Sequence, residues 1–184
     1  MKLRLSHAPY IANKIALDLV HSGVVELDSQ PLEKLAEVSR AVLENDIKSE
    51  QMLEEEVREI LENRVDEIEF LRADERALFW LVKKELASKK GIPLGKDERY
   101  NNLSHAILDA IIQEDIVWFD VPENRIRNII YKAINDYTRI YESIEDFVEE
   151  TIKSYKRRSV VGSEEYDIIF EKLYEEELRK RGFL

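Results

Sequence analysis

The sequence predicts a mainly α protein made of two copies of one unit. Each copy reads helix, short strand, long helix, final helix, and the two strands are expected to meet as a small two-stranded antiparallel ribbon between the halves. Three observations predict this. Apolar residues recur at three- and four-residue steps along most of the 184 residues, two short branched segments alternate instead, and the whole pattern returns after 91 or 92 positions.

The first helix takes its stripe from Ile11, Ile15 and Leu19. Ser6 is its expected cap, and Pro9 falls in the first turn, where a missing N–H costs little. Gly23 suits a left-handed helix end. Segment 24–28 is too short and too branched for good helix, and Val25 and Leu27 alternate with Glu26, which is strand periodicity. Pro31 marks the next helix start. Leu35, Val38, Val42 and Leu43 form one stripe, and Leu53, Val57, Ile60, Leu61, Val65 and Ile68 form another, with a break expected near Asn45-Asp46. The second stripe has the narrow seam of a helix packed lengthwise on another. Lys89-Lys90-Gly91-Ile92 closes the unit with cations at the negative helix end, then Gly, then an apolar residue.

The second copy follows in the same order. Leu103, Ile107, Ile111 and Ile112 match Ile11, Ile15, Leu19 and Val20 at an offset of 92, and segment 116–120 matches 24–28 with Val117 and Phe119 around Trp118. Asp120 and Glu123 form a capping box around Pro122. Downstream the offset is 91: Leu35, Val38, Leu43, Leu53, Val57 and Leu61 match Ile126, Ile129, Ile134, Ile144, Val148 and Ile152. The ending Lys180-Arg181-Gly182-Phe183 repeats the first. Leu5-Ser6-His7-Ala8 also recurs as Leu103-Ser104-His105-Ala106, but 98 positions apart, which disagrees with every other match and reads as coincidence. The expected units are 1–94 and 95–184, superposable element by element about a pseudo-twofold axis. Val25, Leu27, Val117 and Phe119 should share the buried face of the ribbon.

Composition bounds the rest. Acidic residues number 39 and basic residues 28, a formal charge of −11, and 44% of residues are hydrophobic, enough for a real core. Charged residues make up 36%, against about 25% on average, which with few Met leans toward a heat-adapted source. No cysteine is present, so no disulfide or thiolate chemistry is expected. No secretory signal and no apolar run of about 20 residues is seen, so a cytoplasmic protein without membrane contact is expected. Acidity argues against general phosphate-backbone binding while leaving room for a local basic patch.

The pattern Ile11-Ala12-Asn13-Lys14-Ile15, Asp18-Leu19-Val20, Gly23-Val24-Val25-Glu26-Leu27 resembles the opening of the bacterial domain-of-unknown-function family 507, and 103–120 looks like a second copy. That resemblance implies a small, helical, bacterial protein. It brings no activity, cofactor or catalytic residue.

Candidate chemistry is sparse. Asp18 and His21 lie three apart, and His105 and Asp109 four apart, so either pair can share a helix face. The pairs are not equivalent across the copies and lack the Glu-x-x-His spacing of helical-bundle metal sites, so the histidines are expected at helix ends facing water, with no metal and no cofactor. Ser6-His7 and Ser104-His105 are adjacent and diverge on a helix, and no nucleophile elbow, phosphate loop or dinucleotide fingerprint is found, so no catalytic residue is assigned. Glu54-Glu55-Glu56 reads as a solvated face. Lys153, Tyr155, Lys156, Arg157 and Arg158 form the densest basic segment, which in an acidic protein reads first as a helix end and second as an RNA contact. Trp118 stands where the first copy has Glu26, on the face expected to be wet, and is the candidate interface anchor, the alternative being a ring that lies under a neighbouring helix. The sequence thus points to a non-catalytic helical interaction or assembly module, with a protein partner or self-association. An RNA- or nucleoprotein-associated factor using 153–158 ranks second, and an enzyme of unrecognised type third.

Overall fold

The protein is described by a computed structural model, in which residues 3–27, 32–64, 74–155 and 164–181 are described. A 3-10 turn at Leu5–His7 leads into α1 (Ala8–His21), β1 (Glu26–Leu27), α2 (Leu32–Glu62), α3 (Glu75–Lys90), α4 (Lys96–Gln113), β2 (Val117–Trp118), α5 (Glu123–Ser154) and α6 (Glu164–Lys180). The expected mainly helical class with one small antiparallel sheet is what the chain adopts. The expected residues Asp28, Pro31, Val65, Ile68, Gly182 and Phe183 lie outside the described residues.

The chain divides into two compact units, Leu3–Ile134 and Asn135–Leu184, with the division falling inside α5. In the first unit α2 is the central element, packing against α1, α3 and α4. Its core comes from the predicted stripes: Ile11, Ile15 and Leu19 of α1, Leu35, Leu43, Ile47, Leu53 and Val57 of α2, and Leu103, Ile107 and Ile111 of α4 are all buried. In the second unit Tyr137, Tyr141, Ile144, Val148 and Ile152 of α5 and Tyr174 and Leu178 of α6 are buried. Arg181 of the turn after α6 donates to Ser143 Oγ of α5 at 2.9 Å.

The ribbon forms as expected, with Glu26 opposite Trp118 and Leu27 opposite Val117. Val25 is buried, Leu27, Val117 and Phe119 are half-buried, and Glu26 and Trp118 are exposed. The fully buried residue here is Ile116, which the alternation did not single out. Its N–H bonds back to Ile111 O at 3.3 Å, so it belongs to the end of α4 as much as to the strand.

The turns before the two strands share one construction. Ser22 N–H bonds Asp18 O and Gly23 N–H bonds Val20 O; Glu114 N–H bonds Ala110 O and Asp115 N–H bonds Ile112 O. Gly23 has φ +66° and Asp115 φ +52°, so the expected left-handed glycine is present and an aspartate does the same work 92 positions on. Short polar side chains are among the few that tolerate this region. The C-terminus of α3 closes on Gly91, also left-handed, with Ile92 N–H reaching Ala87 O at 2.9 Å.

Two local expectations are corrected. No break occurs at Asn45-Asp46, because α2 runs unbroken for 31 residues. Asp46 does not compete with its own backbone, since Arg99 of α4 takes its carboxylate at 2.6 and 2.8 Å. Nor does Ser6 cap α1: it is exposed in the 3-10 turn, and His7 holds the N-cap position. His7 N–H donates to Arg4 O at 2.9 Å while His7 Nδ1 accepts the Arg4 N–H at 3.3 Å, which closes the 3-10 turn, and α1 itself has no side-chain cap bond.

Candidate functional site

Polar chemistry concentrates on one face of α2. Asp46, Glu50 and Glu54 recur every four residues and so stand in line. Arg99 of α4 bonds Asp46 Oδ2 and also Glu50 Oε2, the latter at 2.5 Å. Lys83 of α3 bonds Glu50 Oε1 at 2.9 Å and Glu54 Oε1 at 2.7 Å. Arg58 lies 3.7 Å from Glu54 Oε2. Lys83 is 3% exposed, and the Trp80 ring lies over its ammonium at 5.1 Å. Lys90 adds a surface ion pair to Glu56.

The network's electrostatics define what it can do. Burial pushes the Glu50 carboxyl up, but Arg99 and Lys83 outweigh it and hold the group below the usual carboxylate range. Burial alone lowers the Lys83 ammonium, and its bonds to Glu54 and Glu50 reverse this and raise it. Lys83 therefore stays protonated and is no nucleophile, and Glu50, ionised with both oxygens engaged, is no general base. The cluster is a clamp that fixes α3 and α4 to α2.

Glu54 shows that the solvated reading of Glu54-Glu55-Glu56 needs correction. Only Glu55 is exposed, while Glu54 is buried against Lys83 and Glu56 is half-buried. A run of three carboxylates hides which one faces inward, and the answer lies in a lysine 29 residues away.

The histidines also differ from one another. His7 is buried rather than facing water, and burial, aided by the Arg4 charge, lowers it from 6.5 to about 4. His105 is half-buried, with Arg127 Nη1 at 3.0 Å from its Nδ1. Arginine only donates, so that nitrogen is the acceptor. Of the three, only His21 is exposed. Asp18, its candidate co-ligand, is engaged by Lys14 at 2.8 Å. Among the described residues no group of three or more His, Asp or Glu is placed to hold a metal ion, and no helix is long and apolar enough to cross a membrane.

Of the candidate interaction residues, Trp118 is 60% exposed on the outer face of the ribbon, directly opposite Glu26. Lys153 and Tyr155 are exposed, and Lys153 lies 3.6 Å from Glu149 one turn back. Lys156, Arg157 and Arg158 lie outside the described residues. The sequence reading did not identify Lys83, Arg99 or the exposed Trp80 and Leu81. The four-residue spacing of Asp46, Glu50, Glu54 and Arg58 was the signal that could have found the clamp.

Fold and site together define a helical protein in which the buried charge cluster on α2 acts as a clamp. Residues 1–183 match the family described as protein of unknown function DUF507, and the chain belongs to that family. No curated protein matches the chain.

Proposed function

We propose that the chain is a non-catalytic interaction or assembly module of the cytoplasm, built by duplication of one unit into repeats 1–94 and 95–184, with Trp118 anchoring a protein partner or a second copy. The observation that carries this is Trp118 itself, a large indole left 60% exposed on a ribbon where Leu27 and Val117 are half-buried. An amphipathic ring held on a hydrogen-bonded strand loses little entropy on contact, the usual property of an interface anchor.

Duplication is supported by the left-handed residues Gly23 and Asp115 with their matching turn bonds, and by α2 and α5 starting 91 positions apart with 31 and 32 residues. The ribbon register supports it as well. Glu26 and Trp118, 92 positions apart, face each other, as two copies paired antiparallel about their own midpoint require.

Trp118→Ala tests the reading by light scattering, pull-down from native cells and thermal unfolding. The expected result is lost association with a nearly unchanged melting temperature. Unchanged association ends the proposal. Salt-dependent RNA binding by the same preparation would instead favour the basic segment 153–158.

A further inference from the structure

Helix α3 is inside out at its centre. Its deeply buried positions are Lys83 and Ala87, while Trp80 and Leu81 are 54% and 63% exposed. The run Ala77-Leu78-Phe79-Trp80-Leu81-Val82 holds six apolar residues, yet none is fully buried: Leu78, Phe79 and Val82 are half-buried and Ala77 is exposed. The clamp explains the orientation. Glu50 and Glu54 draw Lys83 inward, and helical geometry then turns 77, 80, 81 and 84 outward at the i, i+3, i+4, i+7 spacing of a docking stripe.

The stripe has a charge signature. Arg76, Trp80 and Lys84 succeed one another every four residues, so a cation stands one turn to either side of the exposed indole. No side-chain acid partner is found for Arg76 or Lys84 among the described residues, whereas Lys89 and Lys90 on the same helix pair with Glu85 and Glu56. From Arg76 to Lys84 the stripe runs about 12 Å, the footprint of two turns of a peptide helix.

We propose that the outer face of α3, formed by Arg76, Ala77, Trp80, Leu81 and Lys84, docks an acidic amphipathic helix of a protein partner. Partner leucines cover Trp80 and Leu81, and partner carboxylates meet Arg76 and Lys84. A peptide fits better than a membrane or nucleic acid, because the chain carries a net charge of −11 and an extended anionic surface would meet that charge beyond the stripe. This surface is separate from Trp118 and stands or falls independently of it.

The test uses the full chain carrying Trp118→Phe, so that Trp80 is the sole tryptophan and can be excited selectively over the tyrosines. The probes are a helical peptide of about 15 residues with leucines on one face and glutamates flanking them, the same peptide with lysines for glutamates, and the glutamate peptide with alanines for leucines. Phosphatidylserine vesicles and single-stranded RNA complete the set. The expected result is a blue shift of Trp80 with the leucine–glutamate peptide alone. Affinity should fall about tenfold or more in Leu81→Ala and severalfold in Arg76→Glu, with melting temperatures unchanged. Absence of binding, equal binding of the lysine peptide, indifference to Leu81→Ala, or preference for vesicles or RNA each overturns the proposal.

Discussion

The long helices α2 and α5 solve one packing problem with opposite chemistries. Asp46 and Glu50 of α2 lie 91 positions before Tyr137 and Tyr141 of α5, and Lys83 of α3 lies 91 before Tyr174 of α6. In the first set, carboxylates are satisfied by cations from two other helices. In the second, two buried tyrosines stack with ring centroids 4.6 Å apart and join hydroxyl to hydroxyl. A third tyrosine stacks on Phe170 at 5.8 Å. The four-residue spacing accommodates either solution. The difference teaches that the ionic set depends on every partner being present and charged, while the tyrosine set carries its own apolar area and a hydroxyl–hydroxyl bond made within one turn of helix.

The sharpest way to break the comparison is Lys83→Met. It leaves Glu50 and Glu54 buried without their ammonium and is expected to cost about 3–5 kcal/mol in urea unfolding. Adding Glu50→Gln and Glu54→Gln in that background is expected to restore most of the loss. If Lys83→Met costs under about 1 kcal/mol, the cluster does not hold α3.

Dependence on pH separates the buried titratable groups of the first unit by sign. The His7 value is about 4 folded against 6.5 ordinarily, so its contribution is complete above pH 6.5 and is lost as pH falls from 6.5 toward 4. That loss is on the order of 3 kcal/mol. The lowered Glu50 carboxyl acts in the same direction, its share present above the usual carboxylate range and lost on further acidification. The raised Lys83 ammonium acts oppositely, its share complete below its ordinary value and lost as pH rises through the folded one. Urea midpoints across pH should show the first decline below 6.5, and His7→Gln should flatten it. A parent profile level from 6.5 to 5 contradicts the assignment.

On the tyrosine side, Tyr137→Phe removes one hydroxyl of a buried pair and is expected to cost about 1 kcal/mol. Thermal unfolding at low and high salt should give the same loss, since the bond removed joins hydroxyl to hydroxyl. A salt-dependent loss would mean that the two sets are not chemically distinct.

The smallest effects compare the turns. Gly23→Ala places a Cβ at φ +66° with open space around it, so the penalty is conformational, about 1 kcal/mol. Asp115→Gly is expected to run the other way, by up to about 1 kcal/mol. Matching signs for the two would show that the turns are not equivalent.

Local chemistry made much of the fold legible. The ribbon was readable because Val25 and Leu27 alternate around Glu26, and the left-handed turn because glycine occupies position 23. What misled was long-range. Asn45-Asp46 reads as a breaker only when Arg99, 53 residues away, is ignored. Glu54 reads as solvated until Lys83 is placed beside it. In the run around Trp80, six successive apolar residues do not say which side of the helix faces water, and a buried lysine decided that. Trp118 could be placed on the outer face because strand alternation is strict over short distances.

One carboxylate ties two successive helices together. Glu50 Oε1 accepts from Lys83 of α3 and its Oε2 from Arg99 of α4, and only residues 91–95 separate those helices. Amide protons of α3 and α4 should therefore exchange with solvent as one cooperative unit, because neither helix can lift away without leaving the shared group half-neutralised. Glu50→Gln should split that unit, letting α3 open at a rate of its own while α4 keeps its hold through Asp46.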